Sequence, residues 1–217
     1  IVSNPPYSTK WAGDSNPLLI NDPRFSPAGI LAPKSYADMA FIMHSLAWLA
    51  PNGVAAIVCF PGIFYRGGAA QKIRKYLIEQ NKIDCIMQLP ANLFFGTSIA
   101  TCIMVMKQSK IANDVLFIDA SAQCVKVTNN NKLTEENIEN ILRYFTERED
   151  VEYIAKVVPN SVIAENDYNL SVSTYVEKED TREQIDIIEL NKQISEIVAR
   201  EQALRDEIDK IIAEIEG

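Results

Sequence analysis

The chain has 217 residues, 47% of them apolar and 23% charged, a composition that suits a globular protein with a sizeable core and excludes the disordered class. Its net charge of −8 is unevenly spread, at +5 over residues 1–110, −6 over 111–175 and −7 over 176–217, so a chain of pI about 4.8 is not built to hold nucleic acid unaided. The longest apolar runs, such as 54–60, are too short to span a bilayer, and no signal-peptide pattern precedes them.

Ile1-Val2-Ser3 reads as the end of a buried strand running into Asn4-Pro5-Pro6-Tyr7, which suggests a cut or processed chain. Residues 8–34, rich in Pro, Asn, Asp, Gly and Ser, form a stretch too long for a mere connection and read as a functional cover with a mobile tip. Ser35 can cap a helix to about Ala50, since Met39, Ile42, Met43, Leu46 and Leu49 recur at helical spacing before the Pro51-Asn52-Gly53 turn. A strand follows at 54–60, then a glycine turn at 67–68, a helix over 69–80 and a strand over 83–89 whose unbroken apolar run suits a sheet covered on both faces. This alternation predicts an α/β fold. Further strands are expected at 100–106 and 114–118, and the gap between 89 and 100 is too short for a crossover helix, so 83–89 and 100–106 should form an antiparallel hairpin. A loop at 129–131, a helix from 134 to about 148 and an extended or irregular stretch over 151–176 complete the body.

The last segment carries a heptad seam. Ile187, Leu190, Ile194, Ile197, Leu204, Ile208, Ile211 and Ile215 alternate spacings of three and four, with Glu201 the polar exception. A seam of this period calls for a partner helix, either another subunit or the chain's own body. The acidic tail favours a protein partner over DNA.

Chemistry concentrates elsewhere. The four cysteines, Cys59, Cys85, Cys102 and Cys124, fit neither a disulfide framework nor a zinc spacing, and with one histidine no metal site is expected. Reduced thiols and a cytoplasmic location follow from that reading. A serine or cysteine nucleophile would have only His44 as imidazole partner, on an apolar helix where packing is its expected role. The strongest local signal is Asn4-Pro5-Pro6-Tyr7, since even the looser pattern of Asn, Asp or Ser, then Pro-Pro, then Tyr or Phe arises by chance in roughly one chain of this length in two hundred. After a parallel strand it occupies the place where open α/β sheets bind ligands.

The motif resembles the catalytic loop of methyltransferases that use S-adenosylmethionine to methylate a conjugated amino nitrogen. The resemblance implies that the Asn4 side-chain oxygen and the Pro5 carbonyl accept hydrogen bonds from that amino group, helping it pyramidalise and attack the methyl group in line. Pro5 and Pro6 stiffen the loop, and Tyr7 offers a stacking face to a flipped base. C5-cytosine chemistry is discarded because none of the four cysteines follows a proline.

Alone, the motif leaves adenine N6, cytosine N4 and glutamine open as acceptors. The blocks 37–44, 60–68, 73–74, 89–101, 167–171 and 175–176, in order, are similar to those of the modification subunit of type I restriction-modification enzymes, N6-adenine DNA methyltransferases. That resemblance implies as partners a specificity subunit, a restriction subunit, a second modification subunit and double-stranded DNA with a flipped adenine, but no membrane. By position, Phe94 corresponds to the aromatic that stacks on the adenine opposite Tyr7, with Phe95 as its rival. Arg66, Lys72, Arg74 and Lys75 are candidate contacts to DNA phosphates, against the alternative of a solvated helix face. Thr174 stands where the family leads one to expect a basic residue.

One family feature is missing: no glycine-rich strand-to-helix turn followed by an acidic residue is present to hold S-adenosylmethionine. The expected organisation is therefore the second half of a Rossmann-like class I methyltransferase sheet over 1–125, a helical and irregular extension over 126–176 and a docking helix over 177–217, inactive alone. A related adenine methyltransferase of another defence system, and a non-catalytic assembly module, are the alternatives.

Overall fold

The structure, a computed structural model, describes residues 1–179 and 187–216, in two compact units: Ile1–Lys178, and a tail from Glu179 onward. In the first unit a six-stranded sheet has the order β1-β2-β4-β3-β5-β8. These strands are β1 (Val2–Ser3), β2 (Val54–Cys59), β3 (Ile83–Gln88), β4 (Cys102–Lys107), β5 (Asp114–Asp119) and β8 (Ala155–Pro159), with β6 (Val125–Val127) and β7 (Asn130–Lys132) forming a separate ribbon. The β1–β2 and β3–β5 pairs are parallel, while β4 runs against both β2 and β3, and β8 against β5. Four strands thus share one direction and bring their carboxyl ends to one rim.

Helices cover both faces because the strands are apolar on both. Along β3 and β5, Ile86, Val115 and Phe117 join the core beneath α2 (Asp38–Ala47), α3 (Ala69–Glu79) and α5 (Asn160–Glu165). The alternate residues Cys85, Met87, Leu116 and Ile118 pack on the other face with Ile141 and Tyr144 of α4 (Glu135–Glu147). Burial of each large apolar side chain contributes about 1.5–3 kcal/mol. At the β1 end the cover thins: Val2 is 91% exposed, and Ala56 and Val58 of β2 are only partly buried.

The hairpin expected between 83–89 and 100–106 is present as β3 and β4. Helix α4 begins as expected, since the Thr134 hydroxyl accepts from the Asn137 N–H and the Asn137 side chain accepts from the Thr134 N–H. Other expectations change: Ile1 and Val2, read as the end of a buried strand, are exposed, and Asn130 and Asn131, read as loop, lie in β7. Helix α2 starts at Asp38 rather than behind Ser35, because the chain turns at Pro33–Tyr36 and the Ala37 N–H is taken by the Thr9 carbonyl at 2.8 Å. The cover contains its own helix, α1 (Pro17–Ile20), capped by Asn16, and is fastened to α2 by Trp11 on Phe25 and Phe25 on His44, with ring centroids 5.4 and 5.5 Å apart. The stretch 151–176, read as extended or irregular, adds β8 to the sheet edge and then forms α5.

In the tail, helix α6 spans Ile187–Glu216, and its seam residues are all exposed, from 42% at Leu190 to 77% at Ile215. Residues 177–179, placed in that helix from sequence, have no regular structure, and the expectation for 180–186 lies outside the described residues. No helix among the described residues is long and apolar enough to cross a membrane.

Candidate active site on the carboxyl rim of the sheet

Asn4 follows the last residue of β1 directly, so the parallel pairing with β2 delivers Asn4-Pro5-Pro6-Tyr7 to the carboxyl rim. Pro5 and Pro6 fix φ at consecutive positions and have no N–H, so each offers only a backbone carbonyl. The Asn4 side chain is exposed, and its Oδ1 accepts a hydrogen bond from the Tyr7 hydroxyl at 2.8 Å. Tyr7 is half-buried; burial, then the neighbouring Cys59 and Asp38, raises its phenol above the ordinary value, so it is a neutral donor at physiological pH. The chain leaves the loop at Ser8, whose N–H lies 3.2 Å from both carboxylate oxygens of the buried Asp38.

On the same rim, residues 89–101 form a closed loop between β3 and β4. Its ends are joined where the Leu89 N–H donates to the Thr101 carbonyl at 2.8 Å, and Asn92 and Gly96 turn the chain with φ of 52° and 78°. Phe94 is half-buried, whereas Phe95 beside it is 98% exposed. With neighbouring strands about 4.8 Å apart, the ends of β4 and β3 lie about 10 and 14 Å across the rim from that of β1. The rim also carries Asp119, buried at the end of β5, where it accepts from the Ser121 N–H at 2.9 Å.

The candidate phosphate contacts separate. Lys72 and Lys75 are exposed on α3, the latter 3.7 Å from Glu79. Arg66 is half-buried, its guanidinium 4.9 Å from the Tyr36 ring and 5.0 Å from the Phe60 ring. Arg74 is not a surface group at all, at 1% exposure. Its guanidinium donates to the carbonyls of Tyr168, Ile63 and Arg66 at 2.7, 2.8 and 2.7 Å. Burial lowers it to about 10, so it stays charged while holding those carbonyls and is withdrawn from the DNA-contact set. Sequence reasoning passed over Asp38 and Asp119; the one available signal was a carboxylate in the first turn of an apolar helix, within a family-like block.

Cys59, Cys85 and Cys102 are buried, as expected of core thiols, and Cys124 is partly exposed. Burial raises the first two far above the ordinary thiol value and Cys102 to about 12. Only Cys124 should therefore react with an aromatic disulfide reagent at pH 8 in native protein, the others labelling after denaturation. A second fast thiol would contradict this packing. His44 packs between Phe25 and Trp48, at ring-centroid distances of 5.5 and 5.7 Å. Among the described residues no group of His, Cys, Asp and Glu is arranged to hold a metal ion.

This sheet, with Asn-Pro-Pro-Tyr on its carboxyl rim, defines part of a class I methyltransferase fold. Within that class the chain belongs to the N-6 DNA methylase family, whose sequence profile matches residues 1–184. It is 48% identical over 216 residues to the methylase subunit of the type I restriction enzyme MpnII of Mycoplasma pneumoniae, covering 99% of this chain and 40% of that one. The methylase subunit of the type I enzyme MjaVII of Methanocaldococcus jannaschii is 31% identical over 226 residues, covering 100% of this chain and 38% of the relative. Among solved structures, the type I restriction-modification methyltransferase subunit of Streptococcus thermophilus superposes with a TM-score of 0.79 at 46% identity, over 82% of this chain and 37% of that one. The chain thus spans about 40% of the length of the first of these relatives.

Proposed function

We propose that this chain is the carboxyl-terminal part of a type I modification subunit and supplies the catalytic loop for methyl transfer from S-adenosylmethionine to adenine N6 in DNA. The observation that carries this is the Asn4-Pro5-Pro6-Tyr7 loop on a carboxyl rim shared with the Phe94 loop, in a chain of the N-6 DNA methylase family. In the reaction the adenine amino group donates to Asn4 Oδ1 and the Pro5 carbonyl. Tyr7 gives up its bond to Asn4 and stacks on one face of the base, with Phe94 on the other. S-Adenosylmethionine would supply the methyl carbon: as the nitrogen lone pair, freed from the ring by Asn4 and the Pro5 carbonyl, forms its bond to that carbon in line, the carbon–sulfur bonding pair would stay on sulfur, S-adenosylhomocysteine would leave, and the amino proton would pass to solvent.

Of the cofactor site, Asn4 and Pro5 would stand at the reacting end, next to the base. The glycine turn and ribose-binding acid are not in the sequence, so the chain alone is expected not to transfer methyl groups. The exposed β1 edge supports a further strand docking there in the longer subunit. Labelled S-adenosylmethionine, unmethylated plasmid and the full-length subunit with its specificity partner test the reading: N6-methyladenine is the expected product, and none should form with residues 1–217 alone. A complex that binds the cofactor and DNA yet forms no N6-methyladenine would refute the assignment.

The α6 seam we assign to the specificity subunit, with the restriction subunit and a second modification subunit joining the same cytoplasmic assembly. Eight exposed Ile and Leu residues at heptad spacing are the support. Replacing both Ile194 and Ile208 with Asp should abolish co-purification with that partner while leaving the melting of the first unit unchanged. Intact binding would move the interface off this helix.

A further inference from the structure

Asp38 sits in the first turn of α2, where the helix dipole favours a carboxylate, and is only 8% exposed. A carboxylate withdrawn from water needs donors in return. The donor here is the N–H of Ser8, the residue immediately after Tyr7, at 3.2 Å from each oxygen. Ser8 has φ 52°, a left-handed conformation that a residue with a Cβ keeps only where its surroundings impose it. One residue later the Thr9 carbonyl accepts from the Ala37 N–H at 2.8 Å. The start of α2 therefore grips two successive residues at the loop's exit, while its entrance is fixed by the pairing of Val2 and Ser3 with Ala56 and Ile57 of β2. Between these anchors lie two prolines of fixed φ, so few torsions remain to let Asn4 Oδ1 and the Pro5 carbonyl drift.

We propose that Asp38 is a positioning residue for the catalytic loop: by accepting from the Ser8 amide it holds Asn4 and Pro5 where an amino group is to be bound. This rests on the methyl-transfer reading above. Asp38 acts through the backbone of Ser8. Its required property is an acceptor oxygen rather than a charge.

The test uses the full-length subunit with its specificity partner, comparing wild type, Asp38→Ala and Asp38→Asn in single-turnover methylation, with cofactor and DNA dissociation constants and thermal midpoints alongside. Asp38→Ala should slow methyl transfer by about 10–100-fold, the scale of a misplaced reacting group, with both dissociation constants within threefold of wild type. Asp38→Asn, which keeps an acceptor, should recover to within about threefold. Asp38→Ala at the wild-type rate would overturn the proposal, as would an Asp38→Asn protein as slow as Asp38→Ala. An Asp38→Ala chain that does not assemble, or loses rate only in proportion to its folded fraction, would make Asp38 a folding determinant and overturn it equally. A wild-type complex that binds DNA and cofactor without methylating refutes the functional reading instead, so the two failures are distinguishable.

Discussion

Asn4→Ala, in the full-length methylase with its specificity partner, is expected to lower the single-turnover rate of adenine methylation by about 10²–10³-fold, the range found when one preorganised hydrogen-bonding group is removed from an active site. Cofactor and DNA binding should stay near wild type, because an exposed side chain at the end of β1 supports no part of the core. Asn4→Asp keeps an acceptor oxygen and should retain more activity than Asn4→Ala. Tyr7 sharpens the test. Its hydroxyl occupies Asn4 Oδ1 at 2.8 Å, so Tyr7→Phe frees the acceptor while preserving the stacking face and should leave the rate within a few fold. Full activity of Asn4→Ala would remove the loop from the chemistry and leave the chain as an assembly module.

The second large effect is on stability. Arg74→Ala should destabilise the first unit by about 4 kcal/mol, because it deletes a buried side chain and strands three carbonyls at about 1–3 kcal/mol each. For a unit of this size that lowers the thermal midpoint by about 8–16 °C. Arg74→Lys should recover little, since one ammonium on a flexible stem does not reproduce a planar fork facing Ile63, Arg66 and Tyr168. Circular dichroism melts decide it, and a shift under about 2 °C would mean that the carbonyls find other donors.

Arg74 also marks where sequence reading ran out. Its neighbours Lys72 and Lys75 are solvated, and although Arg74 shares the apolar stripe of Ala70, Ile73, Leu77 and Ile78, that spacing does not reveal the acceptors that would let a guanidinium be buried there. The acceptors that bury it come from the turn after β2 and from Tyr168, which is 94 residues away. Within 151–176, read as extended or irregular, the place of β8 at the sheet edge was hidden for a similar reason, since a short run ending in proline becomes a strand only by pairing with β5. The hairpin of β3 and β4 was legible because loop length alone decides it, but the insertion of β4 beside β2 was not, since that pairing joins residues dozens of positions apart. Asn4 to Tyr7 stood out as a candidate because an unusual residue pattern follows a strand, and the place of that strand beside β2 is what puts the segment on the carboxyl rim. Asp38 did not stand out, because a buried carboxylate is defined by its donor, and the donor lies across the fold at Ser8.

The hydrogen bond joining Leu89 to Thr101 bears on how such a site can change over generations. The two ends of the Phe94 loop are held together by the hairpin below it, so residues added or lost between them leave the register of β3 and β4 intact. Doubling such a loop costs about 0.6 kcal/mol in closure entropy, little beside a core substitution. The loop that carries Phe94 can therefore be lengthened, shortened or re-aimed while the sheet stays as it is, which makes it a part of the rim that evolution can vary at little cost.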